Sequence, residues 1–225
     1  MASSLSHRKP LDPTGFGFAR EELPELEQGP LDLKSWFADP TLPLDLEIGS
    51  GKGTFLIQQA PLTPGVNYLG LEYARAFWRH AADRARRHGL PNVRLVHAEA
   101  NAFVRYFIAD RYLRQVHIYF PDPWPKKRHH KRRLVQAPFL RELYRVLEDP
   151  RDGEPESGQV RLATDHVDYF AWMEEHAAEV ADLFDRLAFE SPASAEEGEL
   201  VGTNFERKYR DEGRVFNGMI LRKRV

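Results

Sequence analysis

The rhythm of hydrophobic and polar positions changes near residue 42. Before it, prolines at 10, 13, 24, 30 and 40, with Gly15 and Gly17 between them, leave no room for a long element, so residues 1–40 read as an irregular N-terminal arm. Beyond it, short apolar runs alternate with amphipathic stretches. Leu44–Gly49, Val66–Glu72, Val93–Ala98, Gln115–Phe120 and Val160–Ala163 read as strands. A stretch from Thr54, then Ala74–His88, Asn101–Ala109, Ala137–Leu147 and Asp168–Phe184, read as helices. Asp149–Gly158 is an acidic loop. In the tail, Thr203–Tyr209 and Val215–Arg222 read as two strands joined by Arg210–Arg214, an antiparallel pair. Five β/α units and a terminal hairpin predict one α/β domain over 41–225: a doubly wound, mostly parallel sheet with a C-terminal antiparallel hairpin. Ligands bind such sheets beyond the carboxyl ends of the strands, which places function at 49–54, 72–75, 98–101, 120–126 and 163–166.

Composition narrows the class. The chain has 225 residues, 42% hydrophobic and 29% charged, as a globular enzyme does. No stretch approaches the roughly 18 uninterrupted apolar residues of a membrane helix, so no membrane partner is expected. Met1–Pro10 lacks an apolar core, and a secretory signal is not expected either. Without cysteine there is no disulfide, thiolate metal site or cysteine nucleophile, which suits a cytoplasmic location. The formal charge is −2, yet residues 126–133 hold six Lys/Arg, two His and no acid. Such asymmetry points to a polyanion-facing side. A second basic stripe, Arg75, Arg79, Arg84, Arg86 and Arg87, reads as the solvated face of a helix.

The first strand end reads Glu47-Ile-Gly49-Ser-Gly51-Lys-Gly53-Thr54. Alternate glycines allow a tight turn against a ligand, and the next helix offers free N–H groups. A dinucleotide fingerprint needs its third glycine one residue later, and a phosphate loop needs glycine where Leu46 stands. Glu47 would also repel a phosphate, whereas the sulfonium and ammonium of S-adenosylmethionine would welcome it. A glycine turn without a ligand is the alternative. Glu72 ends the second strand, placed to accept from ribose hydroxyls of either a dinucleotide or S-adenosylmethionine. Glu99, with Ala100, is placed either to accept from an adenine amino group or to serve a helix N-terminus.

The most distinctive run is Phe120-Pro121-Asp122-Pro123-Trp124-Pro125-Lys126-Lys127-Arg128. Its prolines stiffen the backbone around Asp122, Trp124 offers a flat face to a base, and the cations suit phosphates. His129 and His130 are neighbours that cannot face one site together, and no metal is expected.

These residues resemble the bacterial tRNA (guanine-N7-)-methyltransferases, class I S-adenosylmethionine-dependent enzymes with a Rossmann-like fold. The resemblance rests on Glu47–Gly53, Gly70–Glu72, Phe120–Arg133, Ala163–Asp165 and Gly202–Glu206, and covers 42–225 in order. It implies methyl transfer from S-adenosylmethionine to N7 of a guanosine in the tRNA variable loop. It implies contacts to S-adenosylmethionine from Glu47, Glu72, Glu99 and Asp122, with Asp122 also the catalytic residue; Gly49 and Gly51 of the loop and Ala100 beside Glu99 complete the expected cofactor site. It implies a substrate site of Lys126, Asp165, Thr203, Asn204, Phe205 and Glu206, with tRNA as partner; no obligate protein partner is evident. Glu99 stands where the family usually has Asp, and Asn204 where lysine is common. Three other readings stay open: an RNA-binding protein on the same scaffold, a methyltransferase for a small molecule or protein, and a nucleotide kinase, which Leu46 and Glu47 disfavour.

Overall fold

The structure is a computed structural model that describes residues 10–225, apart from residue 211 and the side chain of residue 204. Residues 1–9 of the arm lie outside the described residues. The apolar runs become β2 (Leu44–Ile48), β3 (Asn67–Glu72), β4 (Val93–His97), β5 (Gln115–Tyr119) and β6 (Gln159–Thr164). Between and after them lie α1 (Thr54–Gln59), α2 (Arg75–Arg87), α3 (Ala100–Phe107), α4 (Ala137–Val146) and α5 (Val167–Ala178). β1 (Gly17–Phe18) adds a short parallel edge to β4. With β7 (Phe184–Ala188) and β8 (Asn217–Lys223), the strands form one eight-stranded sheet in the order β1-β4-β3-β2-β5-β6-β8-β7. Every pair is parallel except β6–β8 and β7–β8. The winding reverses between β2 and β5, so the crevice for a ligand opens above those two strand ends.

Two expectations are corrected. Thr203–Tyr209 is not a strand: Asn204–Arg210 forms a helix, α6. Thr203 Oγ1 accepts from the Glu206 backbone N–H at 3.1 Å, a helix cap that satisfies one of the unpaired first-turn donors. Thr203-x-x-Glu206 is the spacing of a capping box, and Phe205 and Tyr209, four apart, meet on one helix face at 4.7 Å. The second correction follows from the first. β8 pairs antiparallel with β6 and, on its other side, with β7, which starts at Phe184, the last residue of the stretch Asp168–Phe184 expected as helix. That helix ends at Ala178, and the chain turns through Val180 N–H to Ala177 O (3.2 Å) and Leu183 N–H to Val180 O (2.9 Å). Ala177, Val180 and Phe184 are all buried, so their helix-like spacing survives a turn that is no longer helical.

Alternation along β2 sorts the core. Leu44, Leu46 and Ile48 belong to the apolar cluster shared with α3, α4 and α5. Asp45 and Glu47 point the other way. Asp45, fully buried, accepts from Arg114 at 2.8 and 2.5 Å and lies 3.2 Å from His117 Nε2. His117 Nδ1 reaches Tyr119 Oη at 2.8 Å, and burial holds this imidazole below its ordinary range. This paired polar ladder fixes β5 against β2 under the crevice. The described part of the arm lies against the sheet edge: Phe18 stacks on Trp36 at 4.0 Å, and Leu33 and Phe37 enter the main core.

Candidate active site

After Ile48 the chain turns through Gly49, Gly51 and Gly53 with φ of 79°, 53° and 72°, a region where a side chain is strained. Gly49 and Ser50 N–H both donate to Leu71 O, at 2.9 and 3.0 Å. Glu72 ties this loop to the next one: its Oε2 accepts from Gly51 N–H and its Oε1 from Ala74 N–H, each at 2.7 Å. Each oxygen keeps a lone pair for a ligand hydroxyl. Glu47 is 4% exposed, and its Oε2 has no partner among the described residues. Burial first, and the Glu72 charge second, push its carboxyl up to about 8. A Cβ added at Gly49 or Gly51 would meet nothing within 4 Å, so the loop's open side faces space.

At the end of β4 the helix-terminus role of Glu99 is realised. Its Oε1 accepts from Asn101 N–H at 2.9 Å and its Oε2 from Ala102 N–H at 2.8 Å, with Ala100 opening α3. Beside it lies a cleft of ≈ 340 Å³ whose walls include Leu23 and Pro24 of the arm, Ala98 just after β4 and Phe103 of α3.

After β5, Phe120 and Trp124 carry φ of 52° and 43°. Non-glycine residues pay strain there, so the Pro121-Asp122-Pro123 bend is held by its surroundings. Asp122 stands exposed at its tip and makes no hydrogen bond or ion pair among the described residues. Arg133 does much of the holding. It is 1% exposed, donates from Nε to Pro123 O at 2.9 Å and pairs with Asp168. Its guanidinium lies 4.9 Å from the Tyr169 ring and 5.3 Å from Trp172. The basic run therefore divides: Lys126, Lys127, Arg128, Lys131 and Arg132 are exposed, and Arg133 is internal. Arg132 covers Trp124 at 5.0 Å, so this ring already stacks on a cation.

Beyond β6, Asp165 is paired with Arg214 at 2.6 Å. Glu206 is 1% exposed, and its carboxylate accepts the backbone N–H groups of Leu200, Val201 (2.9 Å) and Gly202 (2.9 Å). It orders the loop that Thr203 caps. Phe205 stacks on Phe120 at 5.1 Å, which sets α6 beside the Asp122 bend. The sheet edge thus gathers Glu47, Gly49, Gly51, Glu72, Glu99, Ala100, Asp122, Lys126 and Asp165, and α6 brings Thr203, Asn204 and Phe205 alongside. Glu206 faces inward. The arginines of α2 are largely engaged: Arg79 donates to Leu11 O, Arg84 to Lys52 O, and Arg86 and Arg87 to Asp83.

The model of a family described as putative methyltransferase matches residues 41–217. The tRNA (guanine-N(7)-)-methyltransferase of Streptococcus mutans is 32% identical over 173 residues, 77% of this chain and 78% of that protein. The chain belongs to the tRNA (guanine-N7-)-methyltransferase family. A relative of the same name from Streptococcus pneumoniae is 31% identical over 77% of this chain and 78% of its own. Among solved structures, the 16S rRNA methyltransferase KamB matches with a TM-score of 0.54 at 15% identity, over 91% of this chain and 92% of its own, which supports the fold alone. In this methyltransferase the matched span holds every residue of the site described above except Leu23 and Pro24 of the arm and Leu11, which Arg79 contacts. The internal, bend-holding place of Arg133 escapes a reading of the sequence. For Arg133 the available signal was its place at the end of the basic run, next to the apolar Leu134-Val135.

Proposed function

We propose that this methyltransferase modifies a guanosine of the tRNA variable loop at N7, with S-adenosylmethionine as methyl donor and Asp122 as the catalytic residue. The observation that carries the reading is the family match over 77% of the chain together with an intact Phe120–Arg133 run. The residues present fit the donor. A buried carboxylate oxygen without a hydrogen bond is costly, and a cationic ligand at Glu47 removes that cost. Glu47 would meet its positive charge, Glu72 its ribose, and the open faces of Gly49 and Gly51 would let it approach the backbone. When bound, S-adenosylmethionine supplies an electrophilic methyl group on a sulfonium. Guanine N7 presents an unprotonated in-plane lone pair at neutral pH, so no residue has a proton to remove. The work of the chain is positioning and charge: Asp122 orients the base and offsets the positive charge that grows on the purine.

Two expected results follow. At pH 7 the free protein holds Glu47 largely protonated, because its pKa is about 8. A bound cation favours the carboxylate, so binding releases about one proton and tightens as pH rises toward 8. Calorimetry of S-adenosylmethionine binding in buffers of different ionisation enthalpy measures that proton. Glu47→Gln abolishes the release, and a wild-type heat independent of buffer would contradict the assignment. The same carboxyl, raised above its unfolded value, makes the unliganded protein lose stability as pH climbs from about 4.5 toward 8.

The exposed cations Lys126, Lys127 and Arg128 are assigned to the RNA backbone. Each phosphate neutralised contributes a slope of about −0.7 to −0.9 to log K against log salt. Replacing all three with Gln flattens the slope for tRNA by about 2–3. An unchanged slope places the RNA on another face. The reading itself is tested by digesting tRNA after reaction with labelled donor: 7-methylguanosine is the labelled nucleoside, and label in any other nucleoside refutes it.

A further inference from the structure

Arg214, in the loop between α6 and β8, turns back over the sheet edge. Its Nη1 donates to Asp165 Oδ2 at 2.6 Å and its Nη2 to Glu212 at 3.4 Å. Its guanidinium lies 3.8 Å from the centroid of the Tyr209 ring. Lys208 Nζ also approaches that ring, at 4.7 Å, so Tyr209 is a ring on which cations collect. Tyr209 packs on Phe205, and Phe205 stacks on Phe120, the residue that opens the Asp122 bend. A planar group with N–H donors on its edge therefore rests on an aromatic face, with a carboxylate at that edge, two aromatic neighbours from the bend.

A guanine base presents the same features. It has a flat face, N1–H and an exocyclic amine side by side on one edge, and, once methylated at N7, a delocalised positive charge. We propose that Tyr209 is the shelf on which the target guanine stacks, beside the Asp165 that the family resemblance already implies as a substrate residue, and that Arg214 holds the place of the base until tRNA arrives. This rests on the guanine-N7 reading above and names the residues that choose the base. Asp165 accepts from N1–H and the amine; adenine would set a ring lone pair against the carboxylate instead. Tyr209 holds a cationic purine more strongly than a neutral one, so its contact grows toward the transition state and raises kcat more than it lowers KM. The Arg214 side chain is 39% exposed and that of Asp165 13%, so a base that stacks on Tyr209 and brings its own N–H donors to Asp165 replaces the arginine without leaving the carboxylate unpaired.

Steady-state methyl transfer to an unmodified tRNA transcript tests this with wild type, Arg214→Ala, Tyr209→Leu and Tyr209→Phe. Arg214→Ala lowers KM for tRNA about 2–5-fold with kcat kept, since the competitor for the shelf is gone. Tyr209→Leu lowers kcat about 10-fold, a cation–π loss, and Tyr209→Phe restores it. A raised or unchanged KM in Arg214→Ala overturns the proposal, as does an unchanged kcat in Tyr209→Leu or a failure of Tyr209→Phe to rescue. Wild-type protein that places no methyl on guanine N7 would instead overturn the underlying reading, independently of either variant.

Discussion

Asp122→Ala loses methyl transfer by a factor of about 10²–10³ in kcat while the protein keeps its stability, the size expected when one preorganised charge is removed from a reacting centre. The separation of the two effects comes from how the side chain is held. Asp122 is exposed and makes no contact among the described residues that folding would miss, so its loss stays within about 0.5 kcal/mol, as for surface substitutions generally. Its position is fixed by the backbone instead. Phe120 and Trp124 bracket it in strained conformations, and Pro121 and Pro123 remove the remaining freedom. Asp122→Asn keeps shape and polarity and removes the charge, so it isolates the electrostatic part. Single-turnover rates at saturating tRNA and donor, with thermal melts alongside, measure both. A rate near wild type for Asp122→Asn would mean that the carboxylate does not act on the developing charge.

Arg133→Ala has the second large effect, and it falls on stability and activity together. The guanidinium fills a site between Tyr169 and Trp172, holds the Pro123 carbonyl and pairs with Asp168. Alanine leaves a cavity and an unpaired carbonyl, together costing about 2–4 kcal/mol. Asp168 is itself 61% exposed, so water takes over that carboxylate and no buried charge is stranded. The bend that carries Asp122 loses its anchor, and kcat falls even at temperatures where the variant is folded. Arg133→Lys keeps the charge but not the planar fork, and recovers only part of either loss. The salt slope of tRNA binding is the discriminating readout. It is unchanged in Arg133→Ala and flattened in Arg132→Ala, because only Arg132 faces solvent. A flattened slope in Arg133→Ala would return this arginine to the RNA surface.

Much of the fold was legible because its parallel strands are buried runs ending in marked residues. Leu44–Ile48 closes on Gly49, Asn67–Glu72 on an acid, and Gln115–Tyr119 on Phe120-Pro121. The C-terminal third was harder for physical reasons. β7 buries only Phe184 and follows a helix without glycine or proline, so nothing in its pattern separates it from α5. The residues of α6 mix aromatic and polar side chains in a way that reads as a strand, and only the Thr203–Glu206 capping spacing marks a helix start. Of the site, the glycine loop, Glu72 and the Asp122 bend were readable from residue type and place. What Glu99, Glu206 and Arg133 do was not, because an acid that caps a helix, an acid that orders a loop and a ligand-binding acid look alike in sequence. Only the bonds made by their side chains separate them.

The measurement closest to the central claim is the position of the methyl group on the RNA. Unmodified tRNA is treated with the protein and S-adenosylmethionine, then with mild reduction and an amine, which cleaves the chain at the cationic, ring-labile 7-methylguanosine. One cut in the variable loop, appearing about 10²–10³ times more slowly with Asp122→Ala, is the expected result. Methylated tRNA without that cut, or a cut that forms as fast in Asp122→Ala as in wild type, would contradict it.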